Sequence, residues 1–278
     1  MTVAPPEICA VVLAAGEGRR LRPLTAHVPK ALCPVGNVPL LDRALDRLAG
    51  LGLGPDRVAV NAAYLADRVV AHVGDRAHVA VEPDGPLGTA GGIANLKPWI
   101  AGRGVLVGNA DAYLADPGRK PGADIAALLD GWSGTTVRML TLPLRRGETG
   151  GFSGRRFAGF SLLPWRFVAT LPGASHDLVR AVWRPAEAAG ALELTGYDGT
   201  YLDTGTPADY LRANLAAGPA VDPTAVVTGH AERSVIGAYA IVRGRIADCV
   251  IWPGAEVAEH ETLIGVIRAG HDLTVPGG

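Results

Sequence analysis

The segment Ile8–Leu41, ICAVVLAAGEGRRLRPLTAHVPKALCPVGNVPLL, constrains this chain more than any other. Its apolar run from Ile8 to Ala15, flanked by turn residues, reads as a strand buried on both faces. The run leads straight into a loop that holds Gly16, Gly18, Arg19, Arg20, Arg22 and then Pro29-Lys30. A buried strand feeding a glycine-rich, cationic loop is suited to holding phosphates. Glycine lets backbone N–H groups approach the oxygens, and guanidinium forks supply paired charge-assisted hydrogen bonds. Two common phosphate loops do not fit. Leu21 stands where a dinucleotide fingerprint needs a small residue, Arg22-Pro23 cannot open a tightly packed helix, and no second strand ends in an acid at the usual spacing. Gly-Lys-Ser/Thr is missing, so the loop is not a Walker loop either.

Beyond the loop, apolar residues at Leu41, Ala44, Leu45, Leu48 and Leu51 have helical spacing, and Gly50 and Gly52 close that helix. Strands are expected at 56–61, 77–82, 105–111 and 135–143, and helices near 65–73, 123–132 and 177–189. A glycine-rich turn, Leu87-Gly88-Thr89-Ala90-Gly91-Gly92, runs into a further helix. This alternation argues for a layered, largely parallel sheet with helices on both faces. In such a sheet ligands gather at the carboxyl ends of the strands, where the cationic loop, the Leu87–Gly92 turn and Asp111 all fall. Residues 145–159 read as a Gly/Arg-rich connection. Past Gly218 the helical periodicity ends, and short apolar triplets recur near six-residue spacing, among them Ala225-Val226-Val227, Cys249-Val250-Ile251 and Leu263-Ile264-Gly265. That texture predicts a short left-handed β-helix of about three coils. The division expected is 1–217 for the nucleotide-handling domain and 218–278 for the β-helical arm. An arm of this kind leaves an open end to be covered, which favours a homodimer.

With 278 residues, 48% apolar and 19% charged, the chain can bury a substantial core. A net charge of −1 gives no reason to expect nucleic acid or an anionic membrane as partner. Three scattered cysteines, Cys9, Cys33 and Cys249, make neither a disulfide framework nor a zinc site. No run approaches the length of a membrane span and the N-terminus lacks a basic leader, so a cytoplasmic protein is expected.

The segment 13–35 resembles the signature of the sugar-1-phosphate nucleotidyltransferases (NDP-sugar pyrophosphorylases), LAAG-x-G-[TSE]-R-[LM]-x-P-L-T followed by P-K-x-L-x-P-V. Leu13, Ala14, Ala15, Gly16, Gly18, Arg20, Leu21, Pro23, Leu24, Thr25, Pro29, Lys30, Leu32, Pro34 and Val35 match it. Tyr201, Asp203, Gly205, Thr206 and Pro207 resemble the family's aromatic-x-D-x-G-T-P element. The resemblance implies an α/β fold, a Rossmann-like layered mixed sheet. It implies transfer of a nucleotidyl group from an NTP to a sugar-1-phosphate, with Mg2+ as cofactor. By motif position Arg20, Lys30 and Asp111 would be catalytic, and Asp111 and Asp203 would hold the metal. Nucleotide contacts would come from Leu13, Ala14, Ala15, Gly16, Gly18, Arg20, Glu82, Gly88, Thr89 and Asn109. Sugar-phosphate contacts would come from Lys30, Gly151 and Asp203. Two departures stand out: Ala110 replaces a usual glycine, and no Glu-Lys-Pro element occurs between 140 and 165. Arg145, Arg146, Arg155 or Arg156 are candidates for the missing lysine's task. The LGTAGG turn with a short arm is most similar to mannose-1-phosphate guanylyltransferases. The short catalytic domain is also similar to N-acetylmuramate-1-phosphate uridylyltransferases, which lack the arm, and hexose-1-phosphate uridylyl- or thymidylyltransferases remain alternatives. A non-catalytic paralogue that binds NDP-sugars is the reading from a different class; Arg20, Lys30, Asp111 and Asp203 all being present argues against it.

Overall fold

A computed structural model describes residues 7–115 and 118–278. By its contacts the chain forms two compact units. One contains residues up to Gly16, Arg43–Ala112 and the stretch to Thr200; the other contains Glu17–Asp42, Tyr113–Ala115 and Tyr201–Gly278.

The first unit is built on a seven-stranded mixed sheet. Its strands are β1 (Ile8–Leu13), β2 (Val58–Ala62), β3 (His78–Val81), β4 (Gly104–Asn109), β5 (Val137–Pro143), β6 (Arg155–Leu163) and β7 (Leu192–Gly196), in the spatial order β7-β5-β6-β4-β1-β2-β3. β1 lies between two parallel neighbours, β2 and β4, and has no exposed residue. That double burial is why Cys9 to Val12 can be apolar without alternation. β6 is antiparallel to both β4 and β5. The last part of the Gly/Arg-rich stretch, from Arg155 onward, is already this strand, which is buried from Ala158 to Leu163. The helix expected over 123–132 is reduced to a single turn at Ala126–Leu128. Gly122 and Gly131 bracket it, both with positive φ, and Arg47 holds Asp124 in a buried ion pair of 2.7 Å. The helix expected near 177–189 is present but wide-turned at Val179–Trp183 before Arg184–Ala188. Pro185 has no N–H to donate back into that turn.

The second unit joins the cationic loop to the C-terminal segment. α4 (Pro207–Ala217) follows α1 (Leu40–Gly50), α2 (Ala66–Val73) and α3 (Gly88–Asn95) in chain order. Thr206 is its N-cap, accepting the Asp209 N–H at 3.2 Å, and Pro207 occupies the first helical position. The D-x-G-T-P string is therefore a strand end, a close approach and a helix start in one. α4 buries Tyr210 and Asn214 against the end of the signature. The Tyr210 hydroxyl donates to the Pro34 carbonyl, and Asn214 accepts the Gly36 N–H at 3.0 Å. Trp252 of the C-terminal coil donates to the same Tyr210 oxygen at 3.1 Å.

From Ala220 the chain winds into three short parallel sheets, the arrangement of a β-helix. Ala220, Val235, Val250 and Ile267 stack on one face; Val226, Ile241 and Glu256 on the second; His230, Arg245 and Thr262 on the third. Successive rungs lie 15 residues apart where Cys249 N–H meets Ser234 Oγ, shorter than the roughly eighteen that six-residue faces require. The corners are tightened by non-glycine residues in the left-handed region, Arg233, Tyr239 and Asp248. Leu273–Pro276 returns antiparallel to Val266–Ala269. Ile236, Val242, Ile246, Ile251, Val257 and Ile267 fill the coil and share one core with Leu21, Leu24, Val35, Leu40, Tyr210 and Leu211. All three cysteines are buried free thiols, and burial pushes Cys9 up to about 11 and Cys33 up to about 12. Among the described residues no helix is long and apolar enough to cross a membrane.

Because Asn214 satisfies the Gly36 amide from within the core, Asn214→Leu should destabilise the protein by about 2 kcal/mol. A denaturant titration should show a lower midpoint with an unchanged slope; a shift of only a few tenths would mean that the turn holds without its anchor.

Candidate active site

The three arginines of the loop are sorted by their partners. Glu17 accepts two hydrogen bonds from Arg19, at 2.7 and 2.8 Å, and lies 3.7 Å from Arg22. The Arg19 guanidinium holds the Glu17 carboxyl below its usual range. Arg20 points elsewhere, with a guanidinium nitrogen 3.7 Å from Asp203. Lys30 Nζ lies 3.8 Å from the other Asp203 oxygen, on a side chain only 10% exposed. Asp203 ends the strand Thr200–Asp203, which pairs with Ala112–Ala115. One carboxylate thus stands between two cations, one from each end of the signature loop. Gly18 makes this packing possible. Its φ of +61° is left-handed, and a Cβ there would lie 3.0 Å from both Lys30 Cβ and Thr25 Cγ2. The Thr25 hydroxyl donates back to the Gly18 carbonyl at 2.8 Å, closing the loop on itself.

In the sheet unit, Leu13 and Asn109 are register partners at the ends of β1 and β4, and the Ala110 N–H donates to the Leu13 carbonyl at 3.1 Å. Asp111, expected as the last residue of a strand, lies two residues beyond β4 in a turn and is half-buried. Ala14 and Ala15 are buried at the start of the loop, and a Cβ on Gly16 would meet nothing within 4 Å.

The Leu87–Gly92 turn opens α3 and is gripped by the segment 174–178. The Leu87 carbonyl accepts the His176 N–H at 3.1 Å, the Ala90 N–H donates to the His176 carbonyl at 3.0 Å, and Thr89 Oγ1 accepts the Leu178 N–H at 2.8 Å. Gly88, at φ +72°, would place a Cβ 2.5 Å from the His176 oxygen. Expected as nucleotide contacts, Gly88 and Thr89 have a packing task here: they seat the 174–178 segment.

Glu82 requires a correction. It was expected to touch base or ribose, but it is 2% exposed and both its oxygens are taken, one by Asn61 Nδ2 at 2.7 Å and the other by the Leu87 N–H at 2.8 Å. It supports the turn from inside. Asn61, unnoticed in sequence because it lies within an ordinary strand, also accepts the Ala14 N–H at 2.8 Å. A polar residue inside the otherwise apolar VAVNA strand was the available signal. Gly151 (φ +70°) forms a tight turn in which a Cβ would lie 2.3 Å from the Arg155 carbonyl oxygen. Of the four arginines proposed for the missing lysine's task, Arg155 is committed to Thr141, through Oγ1 at 2.8 Å and the carbonyl at 3.3 Å. Arg156 donates to the Pro143 carbonyl at 3.2 Å, and Arg145 and Arg146 lie in an exposed turn. Among the described residues no group of three or more metal-ligating side chains comes together.

Residues 10–140 match the family model of the MobA-like NTP transferase domain, which defines the class as an NTP transferase. Over 95% of its length the chain is 27% identical to the mannose-1-phosphate guanylyltransferase of Mycobacterium tuberculosis, covering 80% of that protein. Over 37% of its length it is 40% identical to the N-acetylmuramate alpha-1-phosphate uridylyltransferase of Neisseria meningitidis, and there it spans only 46% of the relative. The solved Thermus thermophilus mannose-1-phosphate geranyltransferase shares the fold, with a TM-score of 0.66, 19% identity and 98% of this chain and 95% of that chain covered. The chain is similar to sugar-1-phosphate nucleotidyltransferases, over most of its length to one and over less than half of it to others.

Gly88→Ala adds a strained φ and a clash with backbone, so it should lower stability by about 2 kcal/mol and free the 174–178 segment. Limited proteolysis alongside thermal unfolding checks this: a new cut near 174–178 is expected, and an unchanged digest with an unchanged melting temperature would contradict the packing assignment.

Proposed function

We propose that this chain transfers a guanylyl group from GTP to mannose-1-phosphate, giving GDP-mannose and pyrophosphate, with Mg2+ as cofactor. The observation that carries this reading is the likeness to a mannose-1-phosphate guanylyltransferase along 95% of the chain, the C-terminal coil included. Transfer of a uridylyl group to N-acetylmuramate-1-phosphate is the second reading, favoured by the higher but shorter identity at 40%.

In the reaction an oxygen of the sugar phosphate forms a bond to the α-phosphorus of the NTP while the bond to the bridging α,β-oxygen breaks, and pyrophosphate leaves with that electron pair. Two polyanions must be brought together, so positioning and charge neutralisation supply most of the rate. Arg20 is assigned to the β- and γ-phosphates and the growing charge of the leaving group. Lys30 is assigned to the α-phosphate and the incoming phosphate. Both cations face Asp203 within 4 Å, so phosphates arriving at them compete with a carboxylate already in place. The backbone amides of Ala15 to Arg20 are assigned to the phosphates, and Asn109 and the Gly88–Thr89 turn to the nucleoside end. Asp111 and Asp203 would hold the divalent cation, which when bound supplies further neutralisation of phosphate charge. Gly151 is assigned to the sugar side. We also propose a homodimer in which a second copy covers the first turn of the coil, where Val221, Val226 and Val227 are exposed.

Pyrophosphate release measured with Mg2+ across five NTPs and a panel of sugar-1-phosphates tests the reading. Release is expected with GTP and mannose-1-phosphate together and should stop with EDTA. Release only with UTP and N-acetylmuramate-1-phosphate would replace the first reading by the second. Asp111→Asn should cut kcat by at least about a hundredfold with the melting temperature unchanged, and wild-type turnover in that variant would remove Asp111 from the metal assignment.

Gly205→Ala offers a finer test. A Cβ there would lie 2.7 Å from an Arg20 nitrogen and 3.1 Å from Asp203 Oδ1, and both neighbours are ends of movable side chains. Stability should therefore change by less than about 0.5 kcal/mol, while displacement of Arg20 should lower kcat about tenfold or more. Unchanged kinetics would separate Arg20 from the chemistry.

A further inference from the structure

Two loops of the sheet unit, the one leaving β1 and the turn that opens α3, are linked by a chain of two buried side chains. The Ala14 N–H donates to Asn61 Oδ1 at 2.8 Å; Asn61 Nδ2 donates to Glu82 Oε1 at 2.7 Å; Glu82 Oε2 accepts the Leu87 N–H at 2.8 Å. Asn61 and Glu82 are each 2% exposed. Asn61 sits on β2 and Glu82 one residue past β3, so the link crosses two strands behind the loops. Space for it is reserved on α3, where a Cβ on Gly92 would lie 2.5 Å from Asn61 Nδ2 and 2.9 Å from Glu82 Oε1.

A buried carboxylate is costly unless each oxygen is satisfied, so a structure that keeps one gains something from its acceptor-only character. Here each donor and acceptor has one possible direction. Glu82 cannot donate, which forces the Asn61 amide nitrogen toward it and the Asn61 oxygen toward Ala14. The three bonds therefore have a single arrangement, and the spacing between Ala14 and Leu87 is fixed by it.

We infer that Asn61 and Glu82 are positioning residues for the nucleotide: they hold the backbone that receives the phosphates and the backbone that receives the nucleoside end at one separation, without touching the ligand. This rests on the nucleotidyltransferase reading above, in which the two loops serve opposite ends of the NTP. Loss of one bond should thus weaken NTP use more than sugar-phosphate use.

The chemistry of the pair supplies a demanding test. In Glu82→Gln the new amide must face either Asn61 Nδ2 or the Leu87 N–H donor to donor, and one bond is lost. In Asn61→Asp two carboxylate oxygens face each other. In the double variant the direction reverses: the glutamine nitrogen at 82 donates to the aspartate at 61, its oxygen accepts the Leu87 N–H, and the second aspartate oxygen accepts the Ala14 N–H. Every bond returns with the charge moved to the other residue. Each single variant should raise KM for the NTP about tenfold or more, with KM for the sugar phosphate within about twofold of wild type. The double variant should return to within about threefold of wild type. If Asn61→Asp fails to fold, Glu82→Gln against the double variant gives the same comparison.

Single variants with lowered melting temperature but an unchanged NTP KM would overturn the inference, as would a folded double variant no better than the worse single one. Hydrogen exchange at the Ala14 and Leu87 amides is followed in the same four proteins. Slow exchange in wild type, faster in the single variants and slow again in the double supports the link, and exchange indifferent to the substitutions overturns it. A wild-type protein silent with every NTP would instead bring down the functional reading, and the exchange pattern would then decide the link by itself.

Discussion

The second unit depends on the placement of Asp203 between Arg20 and Lys30. A lysine side chain only 10% exposed is expensive to leave without a counter-charge, and the loop carries three arginines besides. Asp203 supplies that counter-charge, lying 3.7 Å from one cation and 3.8 Å from the other. Glu17 does the same for Arg19 and Arg22 at the loop's outer edge. The loop therefore keeps its cations in place through pairing, and the pairing brings the D-x-G-T-P element, far away in sequence, to the signature. Charge pairing at partly exposed groups adds little stability. The apolar packing beneath supplies it: Leu21, Leu24 and Val35 share one core with α4 and the interior of the coil.

This gives the C-terminal coil a physical role within its own unit. Trp252 and Tyr210 link the coil to α4, and Tyr210 and Asn214 link α4 to Pro34 and Gly36. The signature loop is thus held from below by residues that follow it by nearly the whole chain. The coil is part of the loop's foundation, since removing its interior would take the buried side of Leu211 and Tyr210 with it.

The sheet was legible because its signals are local. Cys9 to Val12 read as a doubly buried strand and form one between two parallel neighbours. What was not legible depended on the third dimension. Periodicity predicted a helix over 123–132, but only Ala126–Leu128 is helical there, between Gly122 and Gly131 in left-handed conformations and beyond the buried Arg47–Asp124 pair. Apolar triplets announced the coil while overstating its rung length, because left-handed corners at Arg233, Tyr239 and Asp248 are made by residues that carry no turn signature. Arg19, Arg20 and Arg22 cannot be told apart by composition; Glu17 holds Arg19 and Arg22 at the edge, and Arg20 faces the Asp203 carboxylate that Lys30 also faces.

Glu82 marks the limit of motif reasoning most clearly. An acid one residue past a strand and just before a glycine-rich turn has the same one-letter context whether it faces a ligand or the backbone. The distinction lies in hydrogen-bond arithmetic: a carboxylate has two oxygens, Asn61 and Leu87 use both, and the group is buried. The same arithmetic explains why Gly92 stands behind it and why a strand as apolar as VAVNA tolerates an asparagine. Three residues that look unrelated in sequence become one device once donors and acceptors are counted. The two loops are thus tied together behind the surface, where solvent cannot compete for the bonds.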